Sequence, residues 1–136
     1  MTANRQPYPD LFDVSIGGYT GKSSRARWQD GLLFCESASY GYETECQKTV
    51  TPAPAQWALF RGTMERIGVW QWSGEYVDPA ILDGTGWSVE ITWNDRYVKA
   101  EGSNAYPGSN SSEYSKAFQS FIAALNRLIG IKDFFE

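Results

Sequence analysis

The sequence predicts an α+β fold: a mostly antiparallel sheet of about six or seven strands, with two helices packed on one face. Three observations predict it. Several short stretches alternate apolar and polar residues, the period of a half-buried strand. Two pairs of such stretches are joined by turn dipeptides, Asp30-Gly31 and Asn94-Asp95. Two longer stretches, 51–68 and 110–130, space their apolar residues as one face of a helix, and each ends at a glycine. The expected order is four strands, a helix, three strands and a closing helix. At 136 residues the chain reads as one domain, 1–136.

Residues 1–10 are polar and hold Pro7 and Pro9, so they read as a loose arm with Tyr8 docked. Phe12, Val14 and Ile16 alternate with Asp13 and Ser15 in a first strand, which Gly17 and Gly18 end. Residues 25–37 form a hairpin about Asp30-Gly31. That turn sets Trp28 opposite Leu33 and Ala26 opposite Cys35 on an apolar face. Arg25 then meets Glu36, and Arg27 meets Phe34, on the other face. A turn at Tyr40-Gly41 leads into a fourth strand and brings Cys46 opposite Cys35. The pair reads as two reduced thiols packed as small apolar fillers, because two cysteines are too few for a four-ligand zinc site.

Pro52 and Pro54 suit the first turn of a helix, where a missing N–H costs nothing. Trp57, Phe60, Met64 and Ile67 follow at helical spacing, and Gly68 stops the run. Residues 69–72 read as a short strand and 73–86 as a long link. Residues 86–107 organise the rest. Trp87, Val89, Ile91 and Trp93 alternate with polar residues up to Asn94-Asp95. The two-residue turn sets Ile91 opposite Val98, Val89 opposite Ala100 and Gly102 opposite Trp87. Glu90 then faces Lys99, and Thr92 faces Tyr97, on the outer side; a slip of one residue would set apolar against charged throughout. Trp93 meets Arg96 near the turn, within reach of a cation–π contact. Asn110 and Glu113 resemble a capping box for the last helix, whose stripe is Tyr114, Phe118, Phe121, Leu125 and Leu128. Phe118 and Phe121 are expected over Val89 and Ile91. Ile131, Phe134 and Phe135 are left to tuck back or to meet a partner.

Composition narrows the chemistry. The chain has no histidine, which removes His-containing triads, His metal ligands and imidazole acid–base work. A net charge of -4 disfavours nucleic-acid binding, since no basic excess displaces phosphate counterions. No apolar run approaches the ~20 residues of a membrane span. The first residues lack the apolar core of a signal peptide, so a cytoplasmic location is expected. Gly17-Gly18 with Gly21 lacks the Lys-Ser/Thr of a phosphate loop, and no motif asks for a cofactor or a metal.

Aromatic residues make up 15% of the chain, with six Trp, more than one small core easily hides. A noncatalytic binding module, of the immunity or regulator kind, uses such residues as partner anchors. The residues that would carry it are Trp70, Trp72, Tyr76 and Tyr106, with Asn104 and the link carboxylates Glu75, Asp78 and Asp83. The expected partner is another protein, a homodimer included. Two alternatives use the same 73–86 link. A carboxylate hydrolase would pair Glu75, Asp78 or Asp83 as acid and base against the indoles, though no spacing fixes their separation. A small-ligand carrier would wall a pocket with Tyr76, Tyr97 and Tyr106.

The pattern Trp70-x-Trp72, Tyr76, Asp83-Gly84-Thr85-x-Trp87-x-Val89-x-Ile91, then Gly102-x-Asn104-x-Tyr106-Pro107, then Phe118-x-x-Phe121-x-x-Ala124-Leu125, resembles small bacterial proteins of unknown function. The resemblance spans the last half of the chain. It implies an α+β fold in a bacterial, cytosolic setting, and it brings no catalytic residue with it.

Overall fold

The computed structural model describes residues 7–18, 22–39, 43–77, 85–103, 105–107 and 115–135. The strands are β1 (Leu11–Gly18), β2 (Lys22–Gln29), β3 (Leu32–Ser39), β4 (Glu43–Val50), β5 (Ser73–Val77), β6 (Thr85–Trp93) and β7 (Arg96–Ser103). Helix α1 (Pro54–Ile67) follows β4, a 3-10 turn (Val69–Gln71) precedes β5, and α2 (Lys116–Ile129) follows β7. All seven strands join one sheet in the order β4-β3-β2-β1-β6-β7-β5. Every neighbouring pair is antiparallel except β5 with β7. This is the α+β architecture the sequence predicts.

Both hairpins take the register their turn residues dictate. Asp30 at φ 54° and Gly31 at φ 78° turn β2 into β3, and Ala26 pairs with Cys35. Asn94 at φ 57° turns β6 into β7, and Val89 pairs with Ala100. The central strand β1 joins the two hairpins by pairing Val14 with both Ala26 and Val89. One face therefore carries Phe12, Val14, Ile16, Ala26, Leu33, Val89, Ile91 and Val98, all buried. The helices cover that face. Trp57, Phe60 and Met64 of α1 and Phe118, Phe121 and Leu125 of α2 belong to the same core cluster. Burying one such large side chain contributes on the order of 2–3 kcal/mol.

Local chemistry explains the helix ends. Pro54 occupies the first helical position, and the Gln56 side chain accepts a hydrogen bond from the Ala53 N–H at 2.7 Å. The Ser115 hydroxyl accepts from the Phe118 N–H at 3.1 Å, so α2 is capped there. The capping box expected at Asn110 lies outside the described residues. Gly68 and Gly130 close the two helices in left-handed conformations. The C-terminal residues tuck back. Asn126 brackets Phe135, accepting from its N–H at 2.7 Å and donating to its carbonyl at 3.0 Å. The Ser24 hydroxyl donates to the Phe134 carbonyl at 2.7 Å.

Three expectations are corrected. Residues 69–72 form no strand: after Gly68 the chain makes the 3-10 turn, and the strand comes next, at Ser73–Val77, inside the stretch expected to be a link. Cys46 does not face Cys35. Cys35 pairs with Lys48 and Cys46 with Ser37, because the register shifts between Ser37 and Ala38. Trp93 pairs with Arg96 at the turn as expected, while the Arg61 guanidinium lies over the Trp93 ring at 5.6 Å and Arg96 lies over Trp70 at 5.9 Å. The tryptophans are not surplus to the core. Trp57, Trp72, Trp87 and Trp93 are buried in it, and Trp28 and Trp70 are half-buried against it.

Candidate functional site: the outer face of the sheet

With period 2, burying one set of strand residues turns the other set outward. The outward set here is mostly polar, with Leu11, Phe34 and Val77 among the apolar exceptions. Arg25 and Arg27 stand on β2, Asp13 and Ser15 on β1, and Ser88 and Glu90 on β6. Tyr97, Lys99 and Glu101 stand on β7, and Glu75 stands on β5 opposite Glu101. Among the described residues nothing from the helix layer reaches this face.

A groove of about 500 Å³ crosses β1, β6, β7 and β5 on this face. Asp13, Glu75, Glu90 and Glu101 line it, with Tyr97 and one cation, Lys99. Two of these carboxylates are held. Arg25 grips Asp13 in a fork, Nε to Oδ1 at 2.9 Å and Nη2 to Oδ2 at 2.7 Å. Hydrogen bonding to Asp13 raises the Arg25 guanidinium above its already high ordinary value. The Tyr97 hydroxyl donates to Glu90 Oε2 at 3.1 Å. Lost solvation and then this bond push the Tyr97 phenol up. Tyr97 is nonetheless 54% exposed, one of few large side chains presented to solvent. Farther along the same face, the Ser15 and Ser88 hydroxyls share a hydrogen bond at 2.7 Å.

The sequence-predicted site residues divide four ways. Trp72 and Tyr106 are core: Trp72 stacks on Phe118 at 6.0 Å, and Tyr106 packs beside Phe118 at 4.8 Å. Tyr76 and Trp70 are half-buried supports, Tyr76 against Trp87 at 5.7 Å. Glu75 alone lines the groove. Asp78, Asp83 and Asn104 lie outside the described residues. The constellation of indoles facing link carboxylates is therefore not assembled among the described residues.

Asp13, Glu90 and Glu101 were missed as site residues, and Tyr97 was expected only as a pocket wall of the carrier alternative, although the outward parity of Glu90 and Tyr97 was readable from the hairpin register. The neighbours that bring them together, β1 beside β6 and β5 beside β7, leave no local trace in the sequence. Among the described residues no group of three or more Asp, Glu, Cys or His side chains is arranged to hold a metal ion. No helix of the described residues is long and apolar enough to cross a membrane. No protein-family model matches the chain, and no curated protein matches it.

Proposed function

We propose that the protein is a noncatalytic binding module that holds a protein partner against the outer face of its sheet. Immunity and regulator roles belong to this class. One observation carries the reading: among the described residues the helices cover one face only, and the outer face presents charged and hydroxyl-bearing side chains with a groove across it. A rigid sheet presents such groups at little entropic cost on binding. The groove carboxylates Glu75 and Glu101 are exposed, so they lack the water exclusion on which acid–base hydrolysis draws; this favours binding over the hydrolase alternative. Tyr97 is the natural anchor, an amphipathic side chain that buries much area with few torsions to freeze.

The test compares faces. The tagged chain and its variants are used to capture partner protein from the cell that makes it. Capture is expected to fall at least about tenfold in Tyr97→Ala and Arg27→Glu. It is expected to persist in Leu59→Ala, whose side chain is 65% exposed on the helix layer. Capture that ignores the sheet-face variants, or fails only in Leu59→Ala, would overturn the reading.

A further inference from the structure

The outer face carries two like-charge pairs directly opposed across neighbouring strands, Asp13 with Glu90 and Glu75 with Glu101. Like charges set opposite each other destabilise a sheet. The first pair is relieved within the fold: Arg25 takes Asp13, the Tyr97 hydroxyl reaches Glu90, and Lys99 stands opposite Glu90. The second is not. Among the described residues Glu75 and Glu101 have no hydrogen bond or ion pair, and the nearest cation along the groove is Lys99. Two exposed carboxylates opposed on adjacent strands add repulsion that no contact among the described residues offsets, and where a local rule is broken without compensation a functional cause is the first to test. Both carboxylates open into the groove, which has four carboxylates to one ammonium along its walls. They do not converge with a third ligand as a metal site requires. The missing complement is thus a cation carried on a chain, long enough to reach the pair and wide enough to fill the groove.

We infer that the partner offers this groove an extended basic segment, with one Lys or Arg side chain lying between Glu75 and Glu101 and a neighbouring stem across Tyr97. The inference rests on the sheet face being the working surface. The overall charge of -4 steers such a segment inward, and the fork geometry of Arg suits two facing carboxylates.

The full chain, labelled with nitrogen-15, is titrated with a ten-residue peptide alternating Lys and Thr, and with its Glu-Thr counterpart. The Lys peptide is expected to shift amides of β5, β6 and β7, and the Glu peptide none. The double variant Glu75→Gln, Glu101→Gln is expected to weaken Lys-peptide binding at least about tenfold. Glu65→Gln, on α1, is expected to change it less than twofold. Glu101→Gln alone is expected to raise Tm by about 1–3 °C, since it removes repulsion, which shows that the variant folds. Shifts scattered over the surface, an equal loss in Glu65→Gln, or a lowered Tm in Glu101→Gln with binding intact would overturn the inference. The same shifts produced by calcium alone, or by concentrating the chain without peptide, would assign the groove to a metal ion or a second copy and overturn it too. If the Lys peptide fails while partner capture still depends on Tyr97 and Arg27, the basic segment is wrong and the sheet-face reading stands. Capture indifferent to the sheet face sinks that reading whatever the peptide does.

Discussion

Among single residues, the two cysteines differ in kind although both thiols are free. Cys35 is buried on the core face of β3, and burial, with the nearby Cys46 adding to it, pushes its thiol from the ordinary 9.0 up to about 12. Cys46 is only half-buried on the edge strand β4. The thiolate is the reactive form, so at pH 8 Cys35 has a thiolate fraction on the order of 10⁻⁴. An aromatic disulfide reagent at pH 8 is expected to titrate one thiol quickly, Cys46, and Cys35 only after denaturation. The sign of the pH dependence follows. The shift disfavours the charged form in the folded state, so stability from this site is intact below pH 9.0 and is lost as pH rises towards 12. Cys35→Ala is expected to flatten the alkaline limb of a stability–pH profile measured by urea unfolding. A rapid two-thiol titration of the native chain would contradict this picture.

Secondary-structure elements separate what was readable in the chain from what was not. The β2–β3 and β6–β7 hairpins were legible because turn chemistry and face pattern agree within a few residues: Asp30-Gly31 and Asn94 each fix a register that also sorts apolar from charged side chains. The β3–β4 register was not. Ser39 pairs with Glu43, one place beyond the two-residue turn, and the irregularity between Ser37 and Ala38 adds another place. Together they carry Lys48, not Cys46, opposite Cys35 while keeping the faces in phase. β5 was hidden for another reason. It is five residues long, pairs parallel with a later strand, and holds Gly74 at φ 77°, so neither hairpin nor alternation announces it. Helix α1 was legible in its stripe and weak in its cap. Ala53 offers no side-chain acceptor at the N-cap, and only Gln56 reaches back. Ala53→Asp supplies an acceptor for the first-turn N–H groups and a charge that complements the helix dipole. It is expected to stabilise the chain by about 0.5–1 kcal/mol, read as a rise of a few degrees in Tm. Unchanged or lowered Tm would mean that the first turn is held by packing rather than by its cap.

At the scale of the whole molecule, the sheet is one surface built from two halves of the chain. The meander of β1 to β4 and the later strands meet along β1 and β6, where Phe12 pairs with Ile91 and Ile16 with Trp87. Nothing local in the sequence predicts that seam, yet the groove that crosses it requires it. Trp57 of α1 is its keystone. The indole is fully buried and meets Phe12 of β1 at 5.7 Å, Trp28 of β2 at 5.3 Å and Trp93 of β6 at 5.4 Å, all edge to face. Its N–H has no hydrogen-bond partner among the described residues, so the side chain is held by shape and ring contacts alone. Both halves therefore lose support together when it is removed. Trp57→Ala is expected to cost about 3–5 kcal/mol. Loss of tertiary order, followed by near-ultraviolet circular dichroism, and loss of secondary structure, followed in the far ultraviolet, should then shift to lower urea and stay coincident, because neither half keeps a core without the other. Two separated transitions would show instead that the meander stands by itself. In that case the groove would be a junction between two folding units, and partner binding at Glu75 and Glu101 would leave the stability of β2 to β4 unchanged.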